Sequence, residues 1–273
     1  MKARFRLPKI QPTATQRTAA THVEGETVRI SKFGLILLAM ATVANARDNK
    51  HPYVVVIDPG HGGHDPGAIS PVGGGAEKSV TLSIARAVRD RLGNKRGLRI
   101  ILTRSNDRFV TLVGRRAVAE ASHADLFLSI HADSAPDPSA RGASIYTLRE
   151  DGRPVVVRRI AATSSYDGVS GKSLDPDVAS ILGDLKQRDA MNDSAGFAIS
   201  LAADLAPVIA MRSQPRLSAH FAVLKAEGIP AVLLETGYVT NREDVDLLFS
   251  DPGQKRVAKA IAKAIEQTAD AAG

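Results

Sequence analysis

Short apolar runs alternate with helical patterns along the chain after residue 50. The runs are rich in Val, Ile and Leu and almost continuously apolar, which is typical of strands buried on both faces. They predict strands at Tyr53–Asp58, Arg99–Arg104, Asp125–Ile130, Gly142–Thr147, His220–Leu224 and Ala231–Thr236. Between them apolar residues recur at helical spacing, which predicts helices at Glu77–Leu92, Thr111–Ser122, Leu174–Asp189, Ala190–Met211, Arg242–Ser250 and Gln254–Ala271.

This alternation predicts the fold class. Strands that alternate with helices form an α/β domain, in which a largely parallel sheet is covered by helices on both faces. No repeat or low-complexity linker follows residue 50. We therefore expect residues 51–273 to form a single α/β domain, with a mostly parallel central sheet of about six strands.

One stretch, at about 149–189, interrupts the alternation and is interpreted as an insertion. Arg149 to Lys172 is polar and contains Gly and Ser, after which a helical pattern resumes at Leu174–Asp189. Asp175 or Asp177 is placed to cap that helix, and Pro176 is tolerated in a first turn. Long insertions are often lids or regulatory elements. A surface excursion without a role is the alternative.

The amino-terminal segment, residues 1–50, is expected to be disordered and to carry an export signal. Residues 1–31 are rich in Thr, Pro and Arg without periodicity. An apolar run from Ile30 to Val43 then precedes Ala44-Asn45-Ala46, which is the order of a secretory signal. The run is too short for a comfortable membrane span. A later start or an amphipathic surface strip are the alternatives, since about 30 residues precede the run.

Composition and charge exclude several classes of function. The formal net charge is +7, but residues 1–46 carry seven Lys and Arg against only two Glu, so the excess belongs mostly to that segment. Aromatic residues make up 4% and Trp is absent, which argues against nucleic-acid binding. The chain has no Cys, so any metal must be held by His and carboxylate side chains.

Four residues capable of binding metal or moving protons lie beside the apolar runs. His61 and His131 come after predicted strands, Glu235 closes the apolar run Ala231–Leu234 within one, and Glu77 opens a predicted helix. In an open α/β sheet, ligands bind beyond the carboxyl ends of the strands. The pattern predicts one zinc ion per chain, with two His and one Glu as ligands and the second Glu as general base.

Each assignment has an alternative. Glu77 could simply stabilise the helix dipole, and Glu235 could be a fourth ligand instead of a base. His64 competes with His61 as a ligand because it lies in the same turn. Asp58 could accept a hydrogen bond from the His61 ring, or it could simply cap the turn. Asp133 could accept the free N–H of the His131 ring.

Four motifs together resemble the zinc-dependent N-acetylmuramoyl-L-alanine amidases of bacterial cell-wall turnover, in the division-amidase group. They are DPGHGGHDPGA, the Glu after a glycine run, SIHAD and LLETGYVTN, and the resemblance covers roughly residues 53–268. It implies His61, Glu77 and His131 as zinc ligands and Glu235 as the catalytic carboxylate. It also implies a peptidoglycan substrate and a periplasmic or cell-wall location.

The resemblance has two departures and leaves two other functions open. Residues 1–50 cannot encode the wall-targeting domain of many relatives. In relatives an insertion helix supplies a Glu to the zinc and is displaced by a LytM-type activator, but Arg153–Lys172 contains no Glu. We therefore expect steric covering by residues 149–189, relieved by a protein activator. The alternatives are a zinc deacetylase or peptidase, and an inactive wall-binding module.

Overall fold

The structure, a computed structural model, describes residues 51–149 and 176–273. In these ranges it has six strands, five α-helices and a short 3₁₀ helix. The strands are β1 Tyr53–Pro59, β2 Leu98–Leu102, β3 Leu126–Asp133, β4 Ala143–Leu148, β5 Met211–Ala219 and β6 Ala231–Tyr238. The helices are α1 Glu77–Leu92, α2 Leu112–Ala121, α3 Pro176–Leu205, α4 Arg242–Leu248, α5 Asp251–Ala272 and the 3₁₀ helix Ala222–Leu224.

The strands form one sheet in the order β2-β1-β3-β6-β4-β5. Only the pairing of β4 with β6 is antiparallel among these strands. The predicted α/β fold with a mostly parallel sheet is therefore confirmed. Because β1, β3 and β6 are parallel neighbours, their carboxyl ends meet at one edge of the sheet.

Both faces of the sheet are buried, as their continuous apolar character predicted. On one face Val55 and Ile57 of β1 pack with residues of α1, α3 and α5 such as Ile84, Leu201 and Ile261. On the other face Val56 packs beside α2 and the 3₁₀ helix. Successive residues of β1 thus enter opposite cores, as the two-residue period of a strand requires.

The predicted strand at His220–Leu224 is wrong. Its last three residues form the 3₁₀ helix, and the strand in this region is β5, Met211–Ala219. Among the described strands β5 pairs only with β4 and lies at the end of the sheet, where Pro215 needs no partner for its missing N–H. Since it is half exposed and polar, it lacks the apolar run of a central strand.

The helices predicted at Leu174–Asp189 and Ala190–Met211 are one 30-residue helix, α3, which ends at Leu205. Pro176 opens the described part of this helix, and Asp177 lies in its first turn. The first half of α3 exposes an apolar stripe, Val178, Ile181, Leu182 and Leu185, whereas Phe197, Leu201 and Leu205 in the second half are buried.

Other predicted features lie wholly or partly outside the described residues. These are the amino-terminal segment with its export signal, and residues 150–175 of the predicted insertion. Within the described residues, no helix combines the length and apolar character that a membrane crossing requires.

Candidate active site

Three of the predicted side chains meet at the carboxyl edge of the sheet. His61 lies in the turn after β1, Glu77 is the first residue of α1 and His131 lies near the end of β3. Their potential ligand atoms all lie within 4.8 Å of one another. Glu77 Oε2 is 3.1 Å from His61 Nε2, and Glu77 Oε1 is 2.9 Å from His131 Nδ1.

The Glu77 carboxylate is enclosed and fixed from several sides. Besides the two imidazoles, it accepts backbone N–H groups from Ala68 at 2.9 Å and Ala132 at 3.1 Å. Burial opposes its ionisation, but the bonds to His131 and His61 hold the pKa of Glu77 far below its ordinary value. Glu77 is therefore a carboxylate at neutral pH.

The turn that carries His61 has an unusual backbone. His61 itself adopts a φ of 61°, in the left-handed region that residues with a side chain rarely occupy. A Cβ on Gly60 would lie 2.3 Å from the His131 ring, and one on Gly67 would lie 2.5 Å from Glu77 Oε2. These glycines leave the space in which the three side chains converge.

His61 is oriented through its second ring nitrogen. Nδ1 lies 2.9 Å from the carboxylate of Asp65, which leaves Nε2 to face Glu77. Burial lowers the pKa of His61, but the carboxylates of Glu77 and Asp65 outweigh this, and the net shift is upward. The ring therefore has the carboxylate partner that orients many metal-binding histidines.

The expectation that Asp58 contacts the His61 ring is wrong. The Asp58 carboxylate is fully buried and accepts hydrogen bonds from Thr103 Oγ1, Arg115 at 2.7 Å and Ser129 at 2.8 Å. Arg115 in turn donates to the carbonyl oxygen of His61 at 2.8 Å. Asp58 therefore acts on His61 through Arg115 and the backbone, one layer below the site.

A second buried arginine supports the same turn. Arg104 donates to the carbonyl oxygens of Pro59 at 3.0 Å and Gly60 at 2.8 Å, and Arg115 donates to Pro59 as well. Burial, followed by repulsion from Arg115, lowers the pKa of Arg104 to about 10, so it still carries its charge at neutral pH. The two guanidinium groups hold three successive carbonyls of the turn, from Pro59 to His61.

Asp133 and His64 lie near the site but do not have the contacts that their positions predicted. His131 Nδ1 meets Glu77, whereas the Asp133 carboxylate accepts the backbone N–H of Ser134 at 2.8 Å. The His64 ring stacks at a tilt on Phe109, with ring centroids 4.2 Å apart. His64 is not a member of the His61, Glu77 and His131 cluster.

Glu235 lies beside the three side chains, on β6. It is the register partner of His131 in the parallel pairing of β3 with β6. Its Oε2 atom is enclosed and has no hydrogen-bond partner among the residues that the structure describes. Burial, then the negative charges of Asp133 and Glu77, raises the pKa of Glu235 well above its usual range.

The cluster fits a metal ion by its donor set. Two imidazole nitrogens and one carboxylate are a ligand set of catalytic zinc sites, which leave one position open for water or substrate. The side chains of His61 and His131 are 24% and 19% exposed, so the cluster is accessible from one side. Glu235 stands next to it without being part of it, as a group that moves protons would.

Sequence reasoning missed the supporting residues Asp65, Arg104 and Arg115. Asp65 lies four residues after His61 in the same turn, so its proximity offered a sign. Arg115 occupies the buried side of α2, one turn before Ala119, where a charged residue is unusual. Arg104 ends a predicted strand, and nothing in the sequence around it indicated a role in the site.

Comparison with known proteins places the chain in a family. Residues 55–267 match a family model described as N-acetylmuramoyl-L-alanine amidase. The N-acetylmuramoyl-L-alanine amidase AmiA of Escherichia coli (strain K12) is 39% identical over 217 residues, covering 78% of this chain and 74% of AmiA. AmiC of Neisseria meningitidis serogroup B (strain MC58) is 36% identical over 225 residues, covering 81% of this chain and 53% of AmiC.

A solved structure agrees with this placement. The catalytic domain of CwlV, an amidase from Bacillus (Paenibacillus) polymyxa var. colistinus, matches with a TM-score of 0.61 and 30% identity. The match covers 80% of this chain and 98% of that domain. The resemblance drawn from the four motifs is thus confirmed: the chain belongs to the N-acetylmuramoyl-L-alanine amidase family.

Proposed function

We propose that the protein is a zinc-dependent peptidoglycan amidase. It hydrolyses the amide between the lactyl group of N-acetylmuramic acid and the L-alanine of the stem peptide. The observation that carries this is the convergence of His61, Glu77 and His131 next to an enclosed, unbonded Glu235, in a member of the amidase family. The same geometry supports the assignment of His61, Glu77 and His131 as ligands of one zinc ion.

Each ligand has a structural reason for its role. His61 presents Nε2 because Asp65 holds Nδ1, and the Glu77 carboxylate is ionised and fixed by backbone N–H groups. His131 presents Nδ1 to the same carboxylate. Held by these three side chains, a zinc ion would supply Lewis-acid chemistry, which would make the substrate carbonyl more electrophilic and water a better nucleophile.

Glu235 is the proton carrier in this proposal. It accepts a proton as the water oxygen attacks the lactyl carbonyl carbon, and it then donates that proton to the alanine nitrogen as the C–N bond breaks. The products are a lactyl carboxylate and a free amine. Burial and the nearby carboxylates raise the pKa of Glu235, so its ionised form is a stronger base than an ordinary glutamate.

Digestion of purified sacculi with the full, zinc-loaded chain tests the proposal against its alternatives. We expect release of stem peptides with a free L-alanine amino terminus, identified by mass spectrometry. Newly exposed sugar amines would identify a deacetylase instead, and cleavage within the stem would identify a peptidase. Binding without release would identify a wall-binding module. Glu235→Gln is the matched inactive control, since it changes the carboxylate to an amide of the same shape.

Location and regulation are proposed from the sequence. A peptidoglycan substrate requires export, for which the apolar run from Ile30 to Val43 is the candidate signal. Displacement of the insertion by a protein activator stays a prediction, and the exposed apolar stripe on the first half of α3 is compatible with a partner there. Replacing Arg153–Lys172 with a Gly/Ser linker should raise basal sacculus digestion without changing the zinc content.

A further inference from the structure

Two enclosed oxygen atoms on neighbouring strands lack hydrogen bonds. One is Oε2 of Glu235 on β6, and the other is Oγ of Ser144 on β4. Neither has a partner among the described residues, and Ser144 is fully buried. Buried hydroxyl groups are normally bonded, since an unpaired one has lost its hydrogen bonds to water without replacement.

The sheet register places these two side chains together. Ser144 and Glu235 are directly opposite each other in the antiparallel pairing of β4 with β6. Side chains of directly opposed residues lie on the same face of a sheet, with Cβ atoms typically about 4.5–5.5 Å apart. Since His131 is the partner of Glu235 on the other side, these three residues form a row across the sheet.

Rotation of one bond sets the direction of the Ser144 hydroxyl. A serine hydroxyl turns among three staggered positions about χ1, and its proton can follow an acceptor. The charged groups that act on Glu235 include the carboxylates of Asp133 and Glu77, which cannot donate a hydrogen bond when ionised. Ser144 is therefore a neutral donor that lies directly opposite Glu235, on the same face of the sheet.

We propose that Ser144 is a positioning residue for Glu235. Its hydroxyl donates a hydrogen bond to one carboxylate oxygen of Glu235, which turns the other oxygen towards the cluster of His61, Glu77 and His131. The inference rests on the proposed function, in which Glu235 carries the proton. It also accounts for an unpaired buried hydroxyl, because the bond it forms belongs to a working state of the site.

Ser144→Ala separates this role from a structural one. A hydroxyl without a partner in the resting fold contributes nothing to stability, so its removal should leave the melting temperature unchanged or raise it. Loss of a hydrogen bond to a charged group should lower kcat by about tenfold to a hundredfold. KM for a soluble disaccharide-peptide fragment of peptidoglycan and the zinc content should not change. Ser144→Thr keeps the hydroxyl and should restore part of kcat.

Ser194 on α3 provides a matched control. It is also buried, but its hydroxyl donates to the Ala190 carbonyl at 2.6 Å and accepts the Ala231 N–H at 2.9 Å. Ser194→Ala should therefore lower the melting temperature while kcat per folded molecule stays the same. The two serines are expected to show opposite effects on stability and on turnover.

Combining Ser144→Ala with Glu235→Gln in one protein tests whether the serine acts through the carboxylate. In the Glu235→Gln background, Ser144→Ala should cause no further loss, because the group that it positions is already gone. An equal loss in both backgrounds would overturn the proposal, as would wild-type kcat in Ser144→Ala or a fall in its melting temperature with kcat unchanged. Full activity of Glu235→Gln would instead overturn the proposed function.

Discussion

The two sides of the active site differ in how completely their polar groups are bonded. On the side of β1 and α1, the carboxylate of Asp58 accepts hydrogen bonds from three side chains. Arg115 donates to four oxygen atoms. Glu77 contacts two imidazoles and two backbone N–H groups. On the side of β6 and β4, Glu235 and Ser144 each keep an enclosed oxygen without a partner in the described part of the chain.

The difference teaches which task each side performs. A site that holds a metal ion needs ligands fixed before the metal arrives, and saturated hydrogen bonding below the ligands supplies that rigidity. A group that accepts a proton is a stronger base when its pKa is raised, and burial, followed by the charges of Asp133 and Glu77, raises the pKa of Glu235. The bonded side therefore suits the proposed metal ligands, whereas the unbonded side contains Glu235, the proposed proton carrier, and Ser144, which is proposed to position it.

The largest effect is expected from removing a ligand on the bonded side. His61→Ala and His131→Ala should each lose stoichiometric zinc and all sacculus digestion. A zinc site with only three protein ligands does not hold the ion firmly after one ligand is removed. Metal analysis of the purified proteins measures the loss. His64→Ala is the control, since His64 shares the turn but not the cluster, and it should keep its zinc. Full zinc occupancy in either ligand variant would remove that residue from the site.

The next effect comes from the unbonded side. Glu235→Gln should lower kcat by about 10²- to 10⁴-fold, the usual contribution of a general base, while zinc remains bound. Turnover of soluble peptidoglycan fragments and metal content give the two readouts. Glu243→Gln changes an exposed glutamate on α4 and serves as the control. Loss of zinc from the Glu235→Gln variant would identify Glu235 as a zinc ligand. The two sides of the site would then no longer have different functions.

A third effect tests the layer below the ligands. Arg115→Met should reduce the free energy of unfolding by about 3–5 kcal/mol, because it leaves the buried Asp58 without its charged partner. Urea denaturation measures it. Arg116→Met on the same helix removes only a surface hydrogen bond to the Ala222 carbonyl and should change stability little. Equal stability of the two variants would show that the buried network does not hold the turn.

The smallest effect concerns the orientation of one ring. Asp65→Asn should weaken zinc affinity by about 10- to 100-fold, since it removes the charge that holds His61 Nδ1. Competition with a chelator measures the affinity. Asp107→Asn is the matched control, because Asp107 bonds Gly63 and Lys78 at the same turn without touching an imidazole. A loss of equal size in the control would assign the effect to the turn as a whole.

The fold was predictable where a strand or helix carries its own pattern. β1, β3 and β6 are buried on both faces, so their sequences are continuous apolar runs that only a central strand explains. β5 was missed because an exposed edge strand has no such constraint. The long helix α3 was predicted as two helices, since its first half leaves its apolar stripe exposed and its second half packs in the core.

The site was predictable where residues end strands, and not where they act through other residues. His61, His131 and Glu235 follow apolar runs whose carboxyl ends share one edge, and this alone brought them together. The partner of Asp58 could not be predicted, because Arg115 comes from a helix 57 residues away in the sequence. The same holds for the pairing of Ser144 with Glu235, which depends on one antiparallel register.

The sequence by itself determined the α/β fold, the family and the residues available for metal binding and proton transfer. These follow from local patterns, because burial of a strand and the chemistry of a side chain are both encoded at single positions. Only the tertiary structure decided that Asp65 and not Asp58 orients His61, that two arginines hold the turn, and that Ser144 pairs in register with Glu235. Those contacts join distant segments, and their geometry is set by the packing of the whole sheet and its helices.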